Sequence, residues 1–379
     1  NEGNILPVDL NKTKKIAVIG ENAIKMMTVG GGSSSLKARY EITPLDGIKS
    51  RVGDKAEIVY ARGYVGDPTG EYNGVVTGQD LNDPRSPEEL RDEAVRVAKD
   101  ADIVLFFGGL NKSNHQDAED SDRETYDLPY GQNELIEAVA EANPNIVYIN
   151  ISGTGVAMPW VSKVPGIVQE WYLGNETGNA IASVLFGDVN PSGKMPYTLY
   201  ATLDQCGAHK LGEYPGHPAK GALGEDIMDI PYNEGIYVGY RFIDKNKLKP
   251  TFPFGHGLSY TTFKYGKATV DRAEGAGDDT FTVTVPVTNT GDREGKETVQ
   301  LYVSDLKSTV DRPVKELKGF KKVSLAPGET ADVTFTLSRP DFSYFDADKH
   351  QWVCEPGAFE ALVGSSSGDI RSKVRFKVK

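Results

Sequence analysis

Apolar residues along this chain follow two different rhythms, and the change between them falls near residue 270. Residues 14–20 (KKIAVIG) form a short unbroken apolar run closed by glycine, which predicts a strand buried on both faces. Similar runs recur at 57–60, 102–108, 145–151 and 166–171. Between them lie stretches with helical spacing. Residues 86–100 (SPEELRDEAVRVAKD) open with Ser86 at the N-cap, Pro87 at the first helical position and Glu89 three residues after the cap, the pattern of a capping box. Leu90, Ala94, Val97 and Ala98 then share one face. Residues 130–143 predict a second helix with Leu135, Ile136, Val139 and Ala140 inward, and 175–187 a third. Strands alternating with helices predict an α/β architecture with a mostly parallel sheet and right-handed crossovers. Ligands gather at the carboxyl ends of such strands, so the loops after Gly20 and Gly109 should flank any site.

Residues 201–229 carry no clear period and read as a long loop. Residues 232–265 are dense in Gly, Pro and aromatic residues, which predicts an ordered linker packed by its rings. From residue 269 onward the period is two. Residues 280–288 (TFTVTVPVT) alternate strictly and are followed by the turn Asn289-Thr290-Gly291-Asp292. Further strands are predicted at 298–304, 315–323, 331–337, 351–353 and 358–364, with Ala326-Pro327-Gly328-Glu329 as a turn. About seven short strands in roughly 110 residues predict a β-sandwich. The expected organisation is an α/β domain over 1–230, the aromatic-rich linker over 231–265 and an all-β sandwich over 266–379.

The 379 residues suffice for two to three domains, and 39% hydrophobic with 25% charged residues excludes wholesale disorder. A net charge of −12 without a basic patch argues against a nucleic-acid partner. No apolar run reaches the roughly 18–20 residues that span a bilayer. The chain starts at Asn1 without a charged segment followed by an apolar one, so no signal peptide is expected, and the missing Met suggests a processed chain or a piece of a longer one. Cys206 and Cys354, far apart, are expected to remain unbridged.

Several chemistries lack their residues. The five histidines never stand at metal-ligand spacing, and neither a G-x-S-x-G elbow nor a P-loop lysine occurs. Gly30-Gly31-Gly32-Ser33-Ser34-Ser35 follows the first predicted strand but is separated from it by 22–29, so it reads as a flexible or ligand-facing loop rather than a dinucleotide fingerprint. The richest stretch is 108–132, GGLNKSNHQDAEDSDRETYDLPYGQ, which leaves the carboxyl edge of the most apolar strand. It holds Asp117, Glu119, Asp120, Asp122, Glu124 and Asp127, with His115 and Arg123 among them. Crowded carboxyls raise some of their own pKa values and an arginine lowers others, which is the separation a general acid needs. A solvated acidic loop, or a chance cation site, is the competing reading. Trp160, Trp171 and Trp352 read as core-packing, Arg241 as a stacked structural arginine, and Glu176 as a carboxylate complementing a helix start.

These residues carry a resemblance that runs nearly end to end. KKIAVIGENA, GGGSSS with TPLDGI, EDSDRETYDLPYGQNELI, EWYLGNETGNAIASVLFGDVNPSGKMPYTL and FPFGHGLSYTTF resemble, in order, segments of the C-terminal half of family 3 glycoside hydrolases, the β-glucosidases and β-xylosidases. The tail resembles the fibronectin-III-like domain of the same enzymes. The resemblance implies a retaining mechanism with two carboxylates: a nucleophilic Asp on an N-terminal barrel, and a general acid/base Glu on a loop of the α/β sandwich domain. The E-x-x-D-R spacing assigns the acid/base role to Glu119, with Asp122 and Arg123 as supporting residues and Glu124 as a lesser candidate. Here Asp120 stands where the family pattern has glycine. Ser33, Ser34 and Ser35 would approach the cleft from the first loop, and His115 and Asn111 would line the aglycone side.

No barrel is present in these residues, so the resemblance implies the acid/base-bearing part of an exo-acting enzyme on β-glucosides or β-xylosides, inactive without its nucleophile. Its partners would be a small-molecule β-glycoside or oligosaccharide and the missing N-terminal barrel. Neither nucleic acid nor membrane is expected as a partner, and no cofactor or metal is expected. The resemblance also implies export to the periplasm or the exterior. Two other readings stand beside it: a non-catalytic carbohydrate-binding or scaffolding protein on the same folds, and a flavodoxin-like redox domain, which would carry a chromophore.

Overall fold

The computed structural model describes residues 1–28, 36–66, 71–72, 75–76, 78–113, 115–119 and 122–379. The chain divides into two compact units, Asn1–Val189 and Asn190–Lys379.

The first unit runs β1 (Lys15–Ile19), α1 (Pro44–Val52), β2 (Glu57–Ala61), the short hairpin β3 (Glu71–Tyr72) and β4 (Val75–Val76), α2 (Pro87–Lys99), β5 (Ile103–Gly109), α3 (Gln132–Ala142), β6 (Ile146–Ile151), β7 (Gly166–Gln169) and α4 (Thr177–Leu185). Five of the strands form one sheet in the order β2-β1-β5-β6-β7, every neighbouring pair parallel. All seven residues of β5 and all six of β6 are buried, which explains their unbroken apolar runs. The capping box of α2 forms as its sequence requires, with the Ser86 hydroxyl accepting from Glu89 N and the Glu89 carboxylate accepting from Ser86 N. The α3 helix starts two residues later than its apolar period suggests. Tyr130 and Gly131 take φ of 63° and 69°, so the chain turns left-handed before the helix can begin.

The second unit opens with elements that sequence periodicity does not reveal. The stretch read as a long loop contains α5 (Gly207–Lys210) and a hairpin of β8 (His217–Lys220) and β9 (Asp226–Asp229). Almost every residue of that hairpin is exposed, so no burial period marks it. The aromatic segment holds α6 (Tyr240–Asn246), and the Tyr240 ring packs 5.2 Å from Phe254 and 5.8 Å from Tyr302. Trp352 corrects its sequence reading: it is 65% exposed, on a two-stranded flap of β17 (Tyr344–Asp346) and β18 (Gln351–Val353), and its ring meets only Phe345 edge-on at 5.7 Å among the described ring pairs.

The rest is a β-sandwich. One sheet places β13 (Phe281–Asn289) beside β10 (Phe263–Tyr265), β11 (Thr269–Val270) and β16 (Thr330–Leu337). The other runs β12 (Glu274–Gly275), β20 (Asp369–Val378), β19 (Gly357–Ser366), β14 (Gly295–Asp305) and β15 (Glu316–Leu325). Alternate residues of β13 are buried along its whole length, as its period of two demands. Phe281, Val283, Val285 and Val287 meet Val299, Leu301, Phe359, Val363 and Phe376 in the core between the sheets. Arg241 is ion-paired to Glu316 at 3.0 Å. Cys206 and Cys354 are both free.

Candidate active site

In the first unit the chain goes from β1 out to β2 on one side and returns to β5 on the other. The loops leaving the carboxyl ends of β1 and β5 therefore diverge at a topological switch point, the crevice where such sheets hold ligands. Two glycines let the backbone through. Gly20 and Gly109 sit at φ of 113° and 119°, and a Cβ at either would fall 1.9 Å from the Phe107 carbonyl oxygen or 2.2 Å from that of Ile151. Only glycine fits such closely apposed strand ends.

The loop after β5 carries most of the predicted residues. Asn111 is 2% exposed and spends its polar groups inside the loop: its Oδ1 accepts from Ser113 N at 2.8 Å and its Nδ2 donates to the Tyr130 hydroxyl at 3.4 Å. His115 is exposed, takes φ of 60°, and its Nδ1 lies 3.1 Å from the Asp122 carbonyl oxygen. Glu119 is exposed on the turn between these two. Asp122 is exposed, whereas Arg123 is half-buried and donates to the Gly155 carbonyl oxygen at 2.6 Å. Ser33, Ser34 and Ser35 lie outside the described residues, as does Asp120, where the family pattern has glycine.

Three residues that the sequence left unassigned organise this edge. The Asp117 carboxylate accepts from Gly153 N at 2.7 Å, the Thr154 hydroxyl at 2.8 Å and the Tyr172 hydroxyl at 2.8 Å. The Lys112 ammonium lies 3.7 Å from the centroid of the same Tyr172 ring. Burial of Lys112 lowers its pKa, and the nearby Asp117 opposes that shift. A glycine-containing turn after a buried strand (Gly153-Thr154-Gly155) was the signal available in the sequence.

On the β1 side, Glu21 is fully buried, accepts from Arg62 at 2.8 Å and Gly66 N at 2.7 Å, and has the Lys25 ammonium 3.6 Å away. The Glu41 carboxylate accepts from Met27 N and Thr28 N at 2.5 and 3.0 Å. Trp171 does not pack as a core residue. It takes φ of 65° and, with Asn22, Tyr172 and Leu173, lines a small pocket with room for about one water molecule. Trp160, by contrast, is fully buried against Tyr148, as expected of a core residue. Beside Trp171 the Glu170 carboxyl is buried, accepts from the Thr177 hydroxyl at 2.8 Å, and burial raises its pKa to about 8. Glu176 stands at the start of α4 and accepts from the Tyr40 hydroxyl at 2.6 Å, which lowers its pKa.

Among the described residues, no three or more His, Cys, Asp or Glu side chains gather to hold a metal ion. No helix of the described residues is long and apolar enough to cross a membrane. The arrangement offers an exposed carboxyl on a tied loop at a sheet edge, with hydroxyl, ammonium and aromatic groups nearby. It suits proton transfer to a polar substrate.

Comparison with known proteins gives the family of the chain. Residues 1–260 match the glycosyl hydrolase family 3 C-terminal domain, and residues 297–367 match a fibronectin type III-like domain. The chain is 45% identical over 376 residues to beta-glucosidase BoGH3A of Bacteroides ovatus, covering 98% of this chain and 48% of that protein. It is 39% identical to thermostable beta-glucosidase B of Acetivibrio thermocellus, covering 100% of this chain and 46% of that one. The chain thus spans about half the length of these two relatives. The crystal structure of the Bifidobacterium adolescentis GH3 beta-glucosidase superposes with a TM-score of 0.84 at 37% identity, covering 100% of this chain and 51% of that one. The Kluyveromyces marxianus beta-glucosidase in complex with glucose gives 0.84 at 30%, with 100% and 60% covered.

Proposed function

The chain belongs to glycosyl hydrolase family 3, and on that premise we propose that it is the acid/base-bearing part of a retaining exo-β-glycosidase, with β-glucosides as its substrates. The observation that carries the reading is the position of Glu119: exposed, on the loop leaving the central strand β5, at the switch point of a parallel sheet. The names of the relatives favour β-glucosides over the β-xylosides that the resemblance also allows.

In this mechanism Glu119 donates a proton to the departing aglycone oxygen while a second carboxylate attacks the anomeric carbon. It then takes a proton from the water that releases the sugar. Retention requires the two carboxyl groups about 5–5.5 Å apart. The nucleophile is assigned to an N-terminal barrel outside these residues, in keeping with the share of each relative that the chain covers. Without it the covalent step has no attacking group, so the isolated chain is inactive.

The test is to assay a chromogenic β-glucoside and β-xyloside with this chain alone and with the N-terminal half restored. Turnover only in the restored protein, abolished by Glu119→Gln, is expected. Ordinary turnover by the isolated chain would refute the division of labour. Sugar binding without turnover in the restored protein would favour the carbohydrate-binding reading.

A further inference from the structure

Glu119 is exposed on a turn, and an exposed turn samples many orientations unless its ends are tied down. A proton donor has to be held close to one geometry, since a displacement of about 1 Å can cost about 100-fold in rate. What holds this turn is a question the family assignment leaves open.

The geometry points to Asp117 as a positioning residue, seconded by Arg123, that fastens the Glu119 turn to the 153–155 segment leaving β6 and to Tyr172. The inference rests on Glu119 being the acid/base. Asp117 precedes Glu119 by two residues, and its two oxygens accept from Gly153 N, the Thr154 hydroxyl and the Tyr172 hydroxyl, all within 2.8 Å. Arg123 follows Glu119 by four residues and donates to the Gly155 carbonyl oxygen at 2.6 Å. Residues on both sides of Glu119 are therefore bonded to three consecutive residues of one neighbouring segment. Tyr126 adds a backbone anchor, its carbonyl oxygen accepting from Ala157 N at 2.8 Å. His115 Nδ1 also lies 3.1 Å from the Asp122 carbonyl oxygen, so residues on the two sides of Glu119 meet.

Asp117 is placed to fix the turn rather than to react. Both its oxygens are already engaged, one of them by two donors. Lys112 against the face of Tyr172 holds that ring in place while its hydroxyl reaches Asp117. The clamp joins residues after β5, after β6 and after β7, the three strands that make one side of the crevice.

The experiment has two arms. In the first, amide hydrogen exchange of this chain is compared for the parent, Asp117→Ala and Tyr172→Phe. Asp117→Ala is expected to speed exchange at 111–119 by at least about 10-fold and leave β5 and β6 unchanged; Tyr172→Phe is expected to give a smaller change of the same sign. In the second, the protein with its N-terminal half restored is assayed on aryl β-glucosides of poor and good leaving groups. Asp117→Ala is expected to lower kcat about 10- to 100-fold on the poor leaving group, much less on the good one, with little change in KM. Asp117→Asn, which keeps two acceptor positions on one oxygen, should recover part of that loss. If exchange and poor-leaving-group kcat both stay at parent values in Asp117→Ala and Tyr172→Phe, the clamp is wrong. If Glu119→Ala shows no dependence on leaving group, the acid/base assignment fails instead, and the exchange arm still decides whether the loop is tied.

Discussion

Gln132 grips Gly109 twice. Its side-chain amide donates to the Gly109 carbonyl oxygen and accepts from the Gly109 N–H, both at 2.8 Å. The register of β1 along β5 ends at Phe106, so this amide takes the place of a strand neighbour for the last residue of β5. The first residue of α3 thus closes the mouth of the loop that carries Glu119.

Replacing Gln132 by Leu keeps the volume and removes both bonds. Gly109 N–H and C=O would then be buried without these partners, costing about 2–3 kcal/mol. Urea denaturation should show that loss as a lower midpoint with an unchanged slope; an unchanged midpoint would mean the amide is dispensable.

Glu170 gives a pH dependence of unusual sign for a carboxyl. Burial raises its folded pKa from 4.5 to about 8, so the folded state holds a proton that the unfolded state releases above about pH 4.5. Its contribution is therefore fully present below the unfolded pKa and is lost as pH rises toward 8, at no more than about 1.4 kcal/mol per unit. Glu170→Gln keeps an acceptor for the Thr177 hydroxyl and cannot ionise. The variant should match the parent near pH 5 and exceed it in melting temperature near pH 8.5. Parallel melting curves across that range would show that Glu170 does not titrate as stated.

The second unit depends on its ring cluster. Phe359 is fully buried, with Phe342 at 5.3 Å and Phe376 at 5.9 Å between ring centroids. Phe359→Ala should destabilise by about 3–5 kcal/mol through lost burial and an unfilled cavity. Hydrogen exchange should register the loss in β14, β19 and β20 and spare β5 and β6.

In the protein with both halves, Glu119→Ala should slow turnover of substrates whose leaving group needs a proton, and spare activated ones far more. Equal losses on both kinds of substrate would assign the proton to another group.

The two periods of hydrophobicity were enough to write down a parallel sheet followed by a β-sandwich, because burial on two faces or on one imposes its own spacing on each strand. The loop with Glu119 could be located for the same reason: it follows the most apolar run, and that run had to be a central strand. Elements without a one-sided burial period escaped. The exposed β8–β9 hairpin is one. β20 was missed for a different reason: Arg371, Lys373, Arg375 and Lys377 alternate with Val374, Phe376 and Val378 in a period of two, but the charged residues outweigh the apolar ones along the strand. Exposure of Trp352 and the pocket-side position of Trp171 were likewise invisible, since residue type alone does not say which neighbours arrive. The sequence by itself determined which buried segments become the strands and helices of the parallel sheet and most strands of the sandwich, and that a carboxyl-rich loop leaves the sheet's centre. Only tertiary structure decided that Asp117 meets Gly153, Thr154 and Tyr172, and that Gln132 completes β5. Those partners lie far away along the chain, and the parallel pairing of β5 with β6 and of β6 with β7, with α3 set beside β5, brings them within hydrogen-bonding reach.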